Sequence, residues 1–337
     1  MPESSRTIVV IHPGGLGDVL LSLDALAALR TCYSQHELVL LAGSDVGQLL
    51  VLCGMIDRAL PIESGQLGDL FSGLEQVAAV GRDIFHRCDL VVGWLNDQTD
   101  SLRRTMQEIG VPQVVLQSPA LAKGLHQSER FLQMLPGECR IDTQTPLRLR
   151  LPERILQDGA AALRVVGGRS TAPLILCHPG SGSRHKCVRA DTWGALLRGC
   201  RDRRFATSMV LGPADEQVVA AIQAQGIPDL PIFRPQSVTM LAAILAQAQG
   251  YLGHDSGVTH LAALLGVPTV AMFGPTDQQR WAPQGAHVTV VRGGACACAG
   301  WDAVRACVEK PCLNVAVSEV LEALDRIDFR YHRFTNA

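Results

Sequence analysis

Asp255-Ser256-Gly257 lies between a largely apolar stretch (Leu245, Ala246, Ala248, Tyr251, Leu252) and the apolar run 258–265. A polar turn of good helix N-capping residues thus feeds an apolar helix. Such a start exposes unpaired backbone N–H groups and the positive end of the helix dipole, so Ser256, Gly257 and Val258 form a natural seat for a diphosphate. Two further loops carry side chains suited to chemistry. His178-Pro179-Gly180-Ser181-Gly182-Ser183 is followed by Lys186, and His12-Pro13-Gly14-Gly15-Leu16-Gly17 is followed by Asp18, a carboxylate placed after a glycine-rich turn.

The elements that position these loops read as repeated strand–loop–helix units. Thr7-Ile8-Val9-Val10-Ile11 is a β-branched run that stops at the first His-Pro-Gly, and an amphipathic helix is expected over 19–30. Pro173-Leu174-Ile175-Leu176-Cys177 runs into the second His-Pro-Gly, with a helix expected over 191–200. Further short apolar runs at 37–41, 90–92, 114–116, 208–211, 250–252 and 269–273 alternate with helical segments, the pattern of parallel sheets covered by helices. Polar, proline-marked sequence over 142–152 and the glycines of 167–170 place a linker near 150–172. Because ligands of open α/β sheets lie beyond the carboxyl ends of the strands, a cleft between the two domains is expected to collect all three loops.

Composition limits what the chain can be. Its 337 residues suit two domains, and 47% hydrophobic with 18% charged residues describes a globular protein. A net charge of −2 supplies no overall field for nucleic acid, and the basic clusters at 103–104, 148–154 and 201–204 read as solvated surface. No basic leader or membrane-spanning run is apparent, and eleven irregularly spaced cysteines are expected to be reduced thiols, both of which favour the cytoplasm.

Four blocks in order, Gly15-Leu16-Gly17-Asp18, His178 to Ser183 with Lys186, Leu211-Gly212-Pro213 with Glu216, and Asp255-Ser256-Gly257 through Pro268 to Phe273-Gly274-Pro275-Thr276, resemble the family 9 glycosyltransferases. That family includes the ADP-heptose:lipopolysaccharide heptosyltransferases. The resemblance implies an α/β fold of the GT-B type, two Rossmann-like domains facing a central cleft. An acceptor domain over 1–165 and a nucleotide-sugar domain over 172–316 are expected, with a helix at 317–327 packing back on the first domain from a final segment 317–337. It also implies an inverting, metal-independent sugar transfer, with no cofactor. The expected partners are a nucleotide-sugar, ADP-heptose, and a glycolipid acceptor such as a lipopolysaccharide core, met at the cytoplasmic face of the inner membrane; no nucleic-acid partner is expected.

Inverting transfer needs a base for the acceptor hydroxyl, and the family match assigns it to Asp18, whose plainer role would be to cap the helix that follows. Gly14, Gly15 and Gly17 are expected to give the acceptor-side loop close backbone approach and unusual dihedrals. Lys186, with Ser181, Gly182 and Ser183, would hold the departing diphosphate together with Ser256, Gly257 and Val258, and Arg184 and Arg189 would assist. Cys187-Val188 stands where the family often has an aromatic after the lysine. Glu216 matches the family's ribose-binding carboxylate, with Asp215 an alternative ligand or a helix cap. Asp255 and His260 would hold the donor or order its loop, although a histidine in an apolar helix is more often a core residue.

Cys296, Cys298, Cys307 and Cys312 lie within 17 residues. They lack paired CxxC knuckles, so unliganded thiols are the leading reading, a structural metal the alternative and a disulfide the last. Two rival functions remain: the same fold with another donor or acceptor, and a nucleotide-sugar-binding protein without activity. Presence of both Asp18 and Lys186 speaks against the second.

Overall fold

The computed structural model describes residues 6–62, 84–118, 124–137, 139, 147–166, 171–212, 215–227 and 230–329. The chain divides into two compact units, Met1–Leu147 and Arg148–Ala337.

The first unit carries a parallel sheet of β1 (Thr7–Ile11), β2 (Glu37–Ala42), β3 (Arg58–Pro61), β4 (Cys88–Gly93) and β5 (Gln113–Leu116), in the order β3-β2-β1-β4-β5. Central β1 is buried along its whole length and pairs with both neighbours, Val9 opposite Val39 and Val91, with one register shift against β4 between Thr7 and Ile8. A strand covered on both faces must be continuously apolar, which is why Thr7-Ile8-Val9-Val10-Ile11 shows no alternation. The helix expected over 19–30 is two helices, Leu16–Leu21 and Leu23–Cys32. They meet at Ser22, whose buried hydroxyl donates to the Val19 carbonyl at 2.8 Å, a local bond that competes with continuous helix.

Packing of helix Leu23–Cys32 against helix Gln127–Gln133 brings Cys32 to Cys139, and the two form a disulfide with Cα atoms 5.4 Å apart. This corrects the expectation that all cysteines are reduced thiols. The partners are 107 residues apart in sequence, a pairing that spacing alone does not reveal.

The second unit carries β6 (Leu174–His178), β7 (Ala206–Val210), β8 (Ile232–Phe233), β9 (Gly250–His254), β10 (Thr269–Phe273) and β11 (Val288–Arg292), in the order β11-β10-β9-β6-β7-β8. All pairings are parallel. In both sheets the strand order reverses beside the first strand, so the topological switch points lie between β1 and β4 and between β6 and β9.

Two elements lie elsewhere than expected. Much of the supposed linker is helix Glu153–Val166, which packs on helix Val238–Leu245 within the second unit; the linker positions 142–146 and 167–170 fall outside the described residues. Helix Val317–Asp325, expected to dock on the first domain, buries Val320, Leu321, Ala323 and Leu324 in the second unit's own core, against helix Ala190–Asp202 and strands β10 and β11. Arg203 and Asp325 pair at 2.9 Å beside it. The helix has one apolar stripe, and that core occupies it. Residues 330–337 of the final segment fall outside the described residues.

Candidate functional site

In the first unit, β1 delivers the chain to His12, which is buried, and to the glycine turn beyond it. Gly14 N–H donates to His12 Nδ1 at 3.1 Å. A Cβ on Gly14 would lie 2.7 Å from both Asp18 Cβ and His12 Cε1, so this turn closes only without a side chain. Asp18 is the third residue of helix Leu16–Leu21, and its Oδ2 accepts the Gly15 N–H at 3.2 Å. Asp18 is thus not the expected N-cap of a helix that follows it, because the helix already starts at Leu16; from its third position it accepts the N–H of the N-cap Gly15, and since a carboxylate accepts several hydrogen bonds this does not preclude a second role. Close approach is found at Gly14, but the unusual dihedrals expected here are not. Gly15 is extended (φ −69°, ψ 179°), Gly17 is helical, and neither they nor Gly14 has positive φ.

The His12 ring meets Trp94, which follows β4, edge-on and Phe131 at a tilt, with centroids 5.4 and 5.2 Å away. Sequence reading assigned no role to this aromatic floor, because its members come from three separated segments.

In the second unit, the loops after β6 and β9 flank the switch point. Lys186 closes the 3-10 turn Arg184–Lys186, capped by Ser183 Oγ, which accepts the His185 N–H. Its Nζ pairs with Asp255 Oδ2 at 2.8 Å, with the lysine side chain 21% exposed and the aspartate 7%. One N–H toward Asp255 leaves two for a ligand. Ser181 Oγ donates to the Asp255 carbonyl at 2.6 Å, tying the two loops together. Asp255 leads into helix Gly257–Leu264, where Ser256 Oγ accepts the Thr259 N–H. The backbone N–H groups of Gly257 and Val258 precede the first intrahelical bonds, which start at Thr259 and His260. The structure thus brings Ser181, Ser183, Lys186, Asp255, Ser256, Gly257 and Val258 to one end of one sheet. Gly182 lies on the same loop, and Arg184 adds positive charge. Burial and the neighbouring Lys310, Arg184 and Arg305 all lower the His185 pKa, a sign of how cationic the loop is.

His260 is buried on its helix, and Arg189 is spent on Asp191 at 2.9 Å. Glu216 stands apart from Asp215 in environment. It is exposed and pairs with Arg234, a residue the sequence reading did not single out, through two hydrogen bonds of 2.7 and 3.1 Å. Asp215 is buried, accepts Gly212 N–H at 2.7 Å and lies 3.7 Å from His178 Nδ1. A Cβ on Gly180 would sit 1.9 Å from Asp215 Oδ1, so the His-Pro-Gly loop is packed directly on this carboxylate. Tryptophan, lysine and histidine contacts over long sequence distance complete the site: Lys186 Nζ lies 5.7 Å from the Trp301 ring centroid, and Lys310 Nζ is 2.8 Å from His185 Nδ1.

The histidines behind these loops are held neutral. Burial pushes His12 down to about 4, and burial followed by the nearby His178 pushes His254, whose Nε2 accepts the Val188 N–H at 3.0 Å, down to about 3. An unfolded histidine titrates near 6.5, so unfolding takes up a proton below that pH. Their contribution to stability is complete above about pH 6.5 and is lost as pH falls toward 4 for His12 and toward 3 for His254. Denaturant titrations at pH 7 and 4.5 should differ by about 2 kcal/mol for each histidine. His254→Gln should remove its share of that slope; an unchanged slope would refute the assignment.

Two parallel α/β domains of Rossmann type, one with a cationic loop and a helix start at its switch point, define the doubly wound class of protein, whose ligand sites lie at such points. The model of glycosyltransferase family 9 (heptosyltransferase) matches residues 94–312, and the chain belongs to that family. It is 27% identical over 157 residues to lipopolysaccharide heptosyltransferase 1 of Pseudomonas aeruginosa, covering 47% of this chain and 42% of that protein, so the match spans less than half of the curated relative. Two solved structures share the fold: a family 9 glycosyl transferase from Veillonella parvula (TM-score 0.80, 20% identity, 97% of this chain and 98% of that one) and the ADP-heptose lipopolysaccharide heptosyltransferase II of Escherichia coli (TM-score 0.72, 18% identity, 95% and 98%). Among the described residues, no helix is long and apolar enough to cross a membrane.

Proposed function

We propose that this protein transfers a heptose from ADP-heptose to a lipopolysaccharide core or a related glycan, with inversion at the anomeric carbon. The observation that carries the reading is Lys186, anchored by Asp255 beside the start of helix Gly257–Leu264 at the switch point of the second sheet. Fixed N–H donors and a held cation stabilise a departing diphosphate better than mobile water does. Asp18 takes the proton of the acceptor hydroxyl, whose oxygen attacks the anomeric carbon. The bond from that carbon to the diphosphate oxygen breaks, and ADP leaves with the electron pair toward Lys186 and the Gly257 and Val258 N–H groups. The buried Asp215 or the exposed Glu216–Arg234 pair is available to a ribose. In this reading the reaction runs in the cytoplasm, at the membrane face where a glycolipid presents its sugar.

A ligand that binds only the folded protein stabilises it in proportion to the logarithm of its concentration over Kd. At 100-fold saturation ADP and ADP-heptose should contribute about 2.7 kcal/mol, raising Tm by roughly 5–10 °C for a domain of this size, with UDP and GDP counterparts well below. A larger shift with UDP-sugars would remove the heptosyl assignment and leave the family and fold standing.

A further inference from the structure

The segment from Gly293 to Leu313 has too little core for the work it does. Its regular structure is the six-residue helix Trp301–Ala306 and the 3-10 turn Pro311–Leu313, and its buried apolar side chains are Val304, Cys312 and Leu313. Two backbone bonds close its ends, Gly293 N–H to the Cys312 carbonyl at 3.1 Å and Gly294 N–H to the Pro311 carbonyl at 2.9 Å. Segments this poor in apolar contacts hold one conformation when a cross-link supplements them.

Three thiols converge inside it, with a fourth close by in the core. The sulfurs of Cys296, Cys298 and Cys307 lie within 4.8 Å of one another, and Cys312, on the 3-10 turn Pro311–Leu313, belongs to the core cluster against which Cys296 packs. All four are unbridged, while Cys32 and Cys139 are joined. Around a tetrahedral ion with metal–sulfur bonds of about 2.3 Å, sulfurs stand roughly 3.8 Å apart, so small movements suffice to close the first three around one ion, with Cys312 as the fourth ligand. The Lys310 N–H points at Cys307 Sγ at 3.3 Å, the donation that supports a metal-bound thiolate.

We infer that Cys296, Cys298, Cys307 and Cys312 bind one thiolate-seeking transition ion, zinc by the preference of a four-sulfur tetrahedral site, and that this knuckle braces the cationic loop after β6. Binding releases the thiol protons to solvent and changes no oxidation state. The brace is physical: the knuckle carries Trp301, which lies against Lys186, and Lys310, whose Nζ meets His185. The ion takes no part in sugar transfer. Its presence is independent of the proposed donor, whereas the bracing of a diphosphate site rests on that reading.

Elemental analysis of the full chain, purified under reducing conditions without chelator, should find about one zinc per chain, as a high-affinity thiolate site requires. Cys296→Ser with Cys307→Ser should abolish it, and Cys53→Ser, in the other unit and outside the cluster, should not. Cobalt(II) added to protein stripped of metal should give d–d bands and sulfur-to-metal charge transfer of a tetrahedral thiolate site, a readout that needs no folded variant. Stoichiometric iron in place of zinc, lost in the same double variant, would support the four-thiolate site and overturn the preference for zinc. Absence of any stoichiometric ion together with no cobalt spectrum, or disulfides among the four cysteines, would overturn the site itself. Stripped protein should bind ADP about two- to fivefold more weakly, the scale of one lost cation–π contact. Unchanged ADP affinity with a metal present would overturn the brace alone.

Discussion

Asp18→Asn should lower turnover by about 10²- to 10⁴-fold, the scale of general-base catalysis, with donor affinity nearly unchanged. Asparagine keeps size and the oxygen that accepts the Gly15 N–H at 3.2 Å, so helix Leu16–Leu21 retains its cap and Tm should move little. Steady-state kinetics with ADP-heptose and a deacylated core acceptor, beside a thermal melt, separate the two roles. A variant with normal turnover and a lowered Tm would make Asp18 a cap only. Asp18→Ala, which loses cap and base together, should show both effects, with about 1 kcal/mol of stability lost.

Lys186→Ala should weaken ADP binding by about 10- to 100-fold, as expected for a charge-assisted hydrogen bond, and slow turnover by a further 10²- to 10³-fold, because the charge is needed most as the diphosphate leaves. It also strands Asp255, whose side chain is only 7% exposed. Breaking a fully buried pair costs about 3–5 kcal/mol, and with Lys186 partly in water a loss of about 1–3 kcal/mol is expected. Lys186→Ala combined with Asp255→Asn discriminates between these causes: stability should return while turnover stays low. Recovery of turnover with stability would show that Lys186 acts only by holding its own loop.

Much of the fold was legible because buried parallel strands must be continuously apolar. Eight of the strands coincide with apolar runs recognised in the sequence, including β1, β6, β9 and β10. The others, β3, β8 and β11, are short or partly exposed edge elements whose burial patterns carry weak periodic signal. Ser22 illustrates a further limit, since a single serine inside an apolar helical pattern gives no sign that its hydroxyl will turn inward and divide the helix.

The site divides in the same way. Asp255 directly follows β9, while Asp18 and Lys186 lie on the connections that leave β1 and β6; the chemistry of a glycine turn, a lone cation or a helix start is local, so sequence by itself determined which residues stand beyond the carboxyl ends of the strands. Tertiary structure alone decided their partners. Asp255 is 69 positions from Lys186, Trp301 is 115 and, on the other loop, Phe131 is 119 from His12; pairing of β6 with β9 beside a switch point brings the first pair together, and packing of helices Trp301–Ala306 and Gln127–Gln133 supplies the other two contacts. The same holds for the Cys32–Cys139 bond, for Glu216 against Arg234 and for helix Val317–Asp325, whose apolar stripe is written in the sequence while the surface that receives it is not. Periodicity states that a face must be buried, and long-range packing selects against what.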